Sequence, residues 1–171
     1  MMVMFNPSHA GPGGKWDKTT QTIIEYVERG TFGERINGVK IRNIFTYQSP
    51  KPDELVEDLI EIVIDQDEDA AYDAVGAFNY ESDDTDFLVV GQGAAMIVAA
   101  WGNCGENTSA RSFVIRKKAD VARWFNANFR PGKVHFLGAP TTRKNPPHPL
   151  RWPQTDGVLR QEDIPFNPRH D

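Results

Sequence analysis

Apolar and polar positions along the 171-residue chain mark out a short series of elements. Ile23, Ile24 and Val27 recur at helical spacing behind Asp17, a residue suited to an N-cap, and Gly30 supplies a stop. Val39, Ile41, Phe45 and Tyr47 share one alternating face, so residues 38–47 predict a half-buried strand. Ser49-Pro50-Lys51-Pro52 breaks that strand and opens a second helix, where a missing proline N–H is tolerated in the first turn. Leu55, Val56, Leu59, Ile60 and Val63 then oppose Glu54, Glu57, Asp58, Glu61 and Asp65. This is the clearest amphipathic helix in the chain, and its polar face is wholly acidic. Ala70 to Phe78 reads equally as a short helix or a strand.

Phe87–Val90 and Ala95–Trp101 are apolar runs without clean alternation, set around Gly91-Gln92-Gly93. They predict a hairpin of two buried strands. Ser112–Arg116 predicts a third short strand. A helix over 118–129 follows, with Val121, Ala122, Phe125 and Phe129 on one face, and Val134–Leu137 is the last strand. Residues 1–16 read as a flexible lead-in. Residues 138–171 hold seven of the twelve prolines, which remove backbone donors, so they read as an extended arm. Its apolar anchors, Leu150, Trp152, Val158, Leu159, Ile164 and Phe166, would pack on the domain or on a partner. The expected fold is one α+β domain over 17–137, with a small, mostly antiparallel sheet, two or three covering helices, and the proline-rich arm.

The single cysteine, Cys104, excludes an internal disulfide framework and a multi-cysteine zinc site. The longest apolar run, Ala94–Trp101, falls far short of the ~20 residues that span a bilayer. Met1-Met2-Val3-Met4-Phe5 lacks a basic leader. The expectation is a soluble, cytoplasmic protein with no membrane contact.

The net charge of −5 hides three blocks. Residues 1–51 carry seven basic and four acidic side chains, and residues 111–171 carry twelve and five. Residues 52–110 carry fifteen acidic side chains and no Lys or Arg. The blocks can fold together and neutralise, or the acidic block can form an exposed face that draws in a basic protein partner. On the second reading Glu57, Asp58, Glu61, Glu81, Asp83, Asp84 and Asp86 make the contact. Trp101, Tyr80, Phe78 or Trp152 would add an apolar anchor, each serving equally well as core.

Candidate chemistry is sparse. Asp65, Asp67, Asp69 and Asp73 have the spacing of a calcium loop, but Ala70 and Gly76 stand where Gly and Glu are required. Gly91 and Gly93 open no phosphate loop, since an apolar run follows them. No metal or cofactor is expected. Cys104, in a turn after a strand, could act as a thiol nucleophile with His135 as base, in a hydrolase or transferase. Arg111, Arg116, Lys117, Lys118, Arg123 and Arg130, with Trp124, could track a nucleic-acid backbone, against an acidic block that would repel it.

The order of elements from the acidic helix at Pro52–Ile64 through Phe87–Val90, Ala95–Trp101, Ser112–Ile115, the helix ending in Arg130-Pro131, and Val134–Leu137 resembles small α+β immunity proteins of bacterial polymorphic toxin systems. The resemblance covers residues 39–137; the first helix and the arm are extra. It implies a non-enzymatic antidote that binds a basic nuclease or deaminase toxin domain, and it carries over no catalytic residue.

Overall fold

The computed structural model describes residues 1–5, 16–33, 35–36, 38–45, 84–103, 111–130, 132–153, 159–160 and 164. Its sheet has the strands β1 (Met2–Met4), β2 (Ile41–Asn43), β3 (Ile97–Ala99), β4 (Val134–Leu137) and β5 (Leu159–Arg160). The helices are α1 (Lys18–Glu28), α2 (Asp84–Gly93) and α3 (Arg111–Asn128), with a 3₁₀ turn at Pro149–Arg151. Among the described residues, three helices and a five-stranded mixed sheet make an α+β fold. The strands run in the order β2-β1-β3-β4-β5. β2, β1, β3 and β4 are mutually parallel, and β5 alone is antiparallel, so the sheet is mostly parallel rather than mostly antiparallel.

β1, an interior strand, is the one the lead-in concealed. Met2 pairs with both Ile41 and Val98, and Val3 with both Arg42 and Ala99. Residues 2–5 are buried, so the flexible lead-in cannot include them. A strand covered on both faces shows no polar alternation, which is why Met-Val-Met-Phe, Ile-Val-Ala-Ala and Val-His-Phe-Leu read as short apolar runs.

Each face of the sheet has its own core. On one, Val3, Phe5, Ile97, Ala99 and Trp101 pack with Phe87 of α2 and with Val114, Val121, Ala122 and Phe125 of α3. The Phe125 and Phe129 rings stack at 5.5 Å, and Phe87 meets Phe125 edge-on at 6.1 Å. On the other face, Met2, Met4, Val98, Ala100 and Leu137 pack with Ile23 and Tyr26 of α1. α1 forms where its apolar stripe and cap predict it, with the Asp17 carboxylate accepting from the Thr20 N–H at 2.7 Å.

Two predicted strands are helical. Phe87–Val90 lies inside α2, and Ser112–Arg116 opens α3. In α2 the two glycines imitate a turn. Gly91 is instead a contact point: a Cβ there would come within 2.5 Å of the Phe129 ring. The predicted hairpin is therefore a helix followed by a parallel strand. In α3, Val114 and Ile115 supply β-branched residues, but burial continues at 118, 121, 122 and 125 with helical period. The strand expected over 38–47 is regular only at 41–43, although the Ile44 and Phe45 N–H groups still donate to Met4 and Phe5 at 2.9 Å.

The arm packs on the domain at two described anchors. Trp152 meets the Tyr26 and Phe32 rings at 5.1 and 5.7 Å, and Tyr26 Oη donates to the Pro153 carbonyl. Asn126 on α3 accepts from the Ile164 N–H at 2.9 Å and donates to its carbonyl at 3.2 Å, fixing buried Ile164. Leu150 stays exposed. Among the described residues, no helix is long and apolar enough to cross a membrane.

Candidate functional site

In parallel sheets the strand ends at the carboxyl edge all face one way, and ligands collect where neighbouring connections leave in opposite directions. Here the chain leaves β1 for β2 on one side, while β3 lies on the other. The carboxyl ends of β1 and β3 mark that point. The residues following these strands, and following β4, are Phe5, Trp101-Gly102-Asn103 and the loop 138–148.

Around this edge the apolar core gives way to a polar network. Asn103 Oδ1 accepts from Thr141 Oγ1 at 2.7 Å and from Asn145 Nδ2 at 3.0 Å. The loop closes on itself: the Thr141 N–H donates to the Asn145 carbonyl at 2.9 Å, and the Asn145 N–H to Thr141 Oγ1 at 3.1 Å. Lys144 takes a left-handed conformation to complete this turn. The Gly102 N–H donates to the Pro146 carbonyl at 2.9 Å, tying the end of β3 to the loop.

Lys118 enters from α3. It is 3 % exposed, its ammonium donates to the Gly102 carbonyl at 2.9 Å, and it lies 5.0 Å from the centre of the Phe5 ring. A cation over an aromatic face gains from the ring quadrupole, more so when water is excluded. Lys118 thus joins the ends of β1 and β3 through a ring and a carbonyl.

His148 completes the edge. It caps the 3₁₀ turn, its Nδ1 accepting from the Leu150 N–H at 3.3 Å. Burial pushes its imidazole below the usual range, with Asp17 at the start of α1 opposing and Arg151 reinforcing the shift. Gly102 has φ +62°, and any Cβ on it would meet His148 Cβ at 2.8 Å.

The residues singled out from sequence fare unevenly. Cys104, Glu57, Asp58, Glu61, Glu81 and Asp83 lie outside the described residues, as does the helix expected over 52–64. Asp84 and Asp86 belong to α2, but their side chains are not described. Trp101 is fully buried in the core, so it is no surface anchor; its indole N–H has no acceptor among the described residues. His135 pairs with Val98 at the start of β4, and its Nδ1 lies 3.3 Å from the Lys133 carbonyl. It stands toward the amino edge, away from Asn103, and burial lowers its pKa against that backbone contact. The histidine beside the turn that leads to Cys104 is His148.

The basic stripe also changes. Lys117 and Lys118 are buried, and Arg123 pairs with Asp120 at 2.6 Å, so these cations do not form one solvent-facing track. Sequence reasoning missed Asn103, Thr141 and Asn145 altogether. The signal available was Gly102 and Gly138, each placed directly after a buried apolar run, with Asn103 next to the first and Thr141 three positions past the second. Two other grooves, of about 910 Å³ along α1 and β2 and about 520 Å³ at the amino edge, are lined largely by aliphatic residues such as Val27, Ile36 and Val39. They gather no comparable polar network.

No curated protein and no solved structure matches this chain. A family model described as a protein of unknown function, DUF1643, matches residues 1–150, which include β1 to β4 and the whole loop 138–148. By that match over most of its length, the chain belongs to the DUF1643 family.

Proposed function

We propose that this protein binds a small polar ligand at the carboxyl edge of its sheet, beside the ends of β1 and β3. The observation that supports this is the convergence of Asn103, Thr141, Asn145, His148 and Lys118, from three separate chain segments, on the point where the strand order reverses. Such a network is costly to bury unless its members are satisfied or serve a ligand. A thermal-shift screen of polar metabolites against the wild-type chain and Asn103→Ala tests the reading. A binder should stabilise the wild type and lose that effect in the variant. A screen in which every stabilising compound acts equally on both would sink it.

A second reading rests on the absence of any basic residue from 52–110. There the acidic block docks a basic protein partner, as an inhibitor of a toxin domain would. Acidic contacts chiefly raise the association rate. Reversing Asp83, Asp84 and Asp86 to Lys should slow capture of that partner and flatten its salt dependence; unchanged association rates would dismiss this reading.

A further inference from the structure

We infer that the ligand of the carboxyl-edge site is an oxyanion, bound by hydrogen bonds donated from Asn103 Nδ2 and His148 Nε2. This rests on the reading of that edge as a ligand site and adds the chemistry of the ligand.

The reasoning follows the protons. Thr141 Oγ1 accepts from the Asn145 N–H at 3.1 Å, so its own hydrogen is directed to Asn103 Oδ1 at 2.7 Å. Asn145 Nδ2 donates to the same oxygen at 3.0 Å. Two donors therefore fix the Asn103 carboxamide with its oxygen toward the loop. Its Nδ2 then points away from the loop and carries two hydrogens, for which the described residues offer no acceptor.

His148 is fixed in the same sense. Its Nδ1 accepts from the Leu150 N–H, so a neutral ring carries its proton on Nε2. Burial of the ring favours that neutral form. The side chain packs against Gly102, the residue next to Asn103. Beneath the same turn, the Lys118 ammonium bonds to the Gly102 carbonyl and contributes positive charge.

α1 and α3 both follow parallel strands and so begin at this edge, where their dipoles favour negative charge. Asp17, whose charge acts on His148, already accepts from the Thr20 N–H. An incoming group therefore meets oriented donors and positive potential. Phosphate and carboxylate both supply the matching lone pairs and charge.

The test uses the full chain, titrated separately with inorganic phosphate, acetate and the neutral amide acetamide at constant ionic strength. Side-chain amide resonances of Asn103 and the Nε2–H of His148 are followed by NMR. Phosphate or acetate should shift both resonances saturably, and whichever does so names the ligand's anionic group. Asn103→Asp keeps an oxygen for Thr141 and Asn145 but replaces the donor with negative charge. It should weaken binding at least about tenfold, the scale of a lost charge-assisted hydrogen bond. His148→Ser still caps Leu150 and should weaken it by a similar factor.

Saturable shifts with acetamide alone would overturn the oxyanion while leaving the site standing. No shift at these residues with any probe overturns both. Equal affinity in wild type and Asn103→Asp means an adventitious ion only, and also overturns the inference.

Discussion

His148 and Gly102 are packed backbone to side chain: a Cβ at Gly102 would lie 2.8 Å from His148 Cβ and 3.3 Å from its backbone nitrogen. Gly102 also holds φ +62°, a conformation side chains rarely adopt. Gly102→Ala should therefore cost about 1–3 kcal/mol, from backbone strain and overpacking together. Denaturant midpoints will measure it, and Gly93→Ala, with open space around its Cβ, serves as the comparison.

The lowered imidazole pKa of His148 gives a signed pH dependence. The unfolded ring titrates near 6.5 and the folded ring below that. Between the two, the unfolded state binds more protons, so stability rises with pH. The stabilising contribution is complete above the unfolded pKa and is lost as pH falls through the folded one. His135 acts in the same direction. Unfolding curves from about pH 7 to about pH 5 should show a shallower loss in His148→Ser than in the wild type.

Lys118→Met keeps the buried stem and removes the ammonium that bonds to Gly102 and faces Phe5. Leaving the Gly102 carbonyl without that donor should cost on the order of 1–3 kcal/mol. Any ligand of the carboxyl edge should bind more weakly as well. Calorimetric unfolding with and without the ligand separates the two effects, and an unchanged melting temperature would contradict the first.

Phe125 is fully buried between α2 and the sheet, in ring contact with Phe87, Trp124 and Phe129. Phe125→Ala should cost roughly 3–5 kcal/mol. Asp17→Ala, which removes the α1 cap, should cost about 1 kcal/mol. Urea titrations of both variants place the two on one scale, and a reversed order would contradict the assigned roles.

What was legible in the sequence depended on how each element is solvated. α1 has one wet face, so Ile23, Ile24 and Val27 announced it and Asp17 and Gly30 bounded it. β4 was read at its true ends because Gly132 and Gly138 punctuate it. Buried elements carry no such contrast. In α2, Phe87, Leu88, Val89 and Val90 form a continuous apolar run that fits strand or helix equally, and the glycines decided wrongly. The parallel direction of the sheet was likewise implicit in strands without alternation, a sign attributed instead to a hairpin. The site was harder still. Asn103, Thr141 and Asn145 are ordinary polar residues whose meaning comes from meeting across the sheet edge, up to 42 positions apart. Lys118 looked like surface charge because sequence shows its ammonium but not the Phe5 ring and Gly102 carbonyl that bury it.

The position of β1 bears on how the chain is made. Met2–Met4 is translated well before residues 97–99, yet it becomes a paired interior strand only when they arrive beside it. At ribosomal rates of about 5–20 residues per second, roughly 5–20 seconds separate the synthesis of the two strands. During that interval Met2, Val3, Met4 and Phe5 expose apolar side chains and unpaired backbone groups, the features that recruit chaperones or promote aggregation. A substitution that weakens β1 should therefore lower the yield of folded protein in cells more than its effect on equilibrium stability alone would suggest.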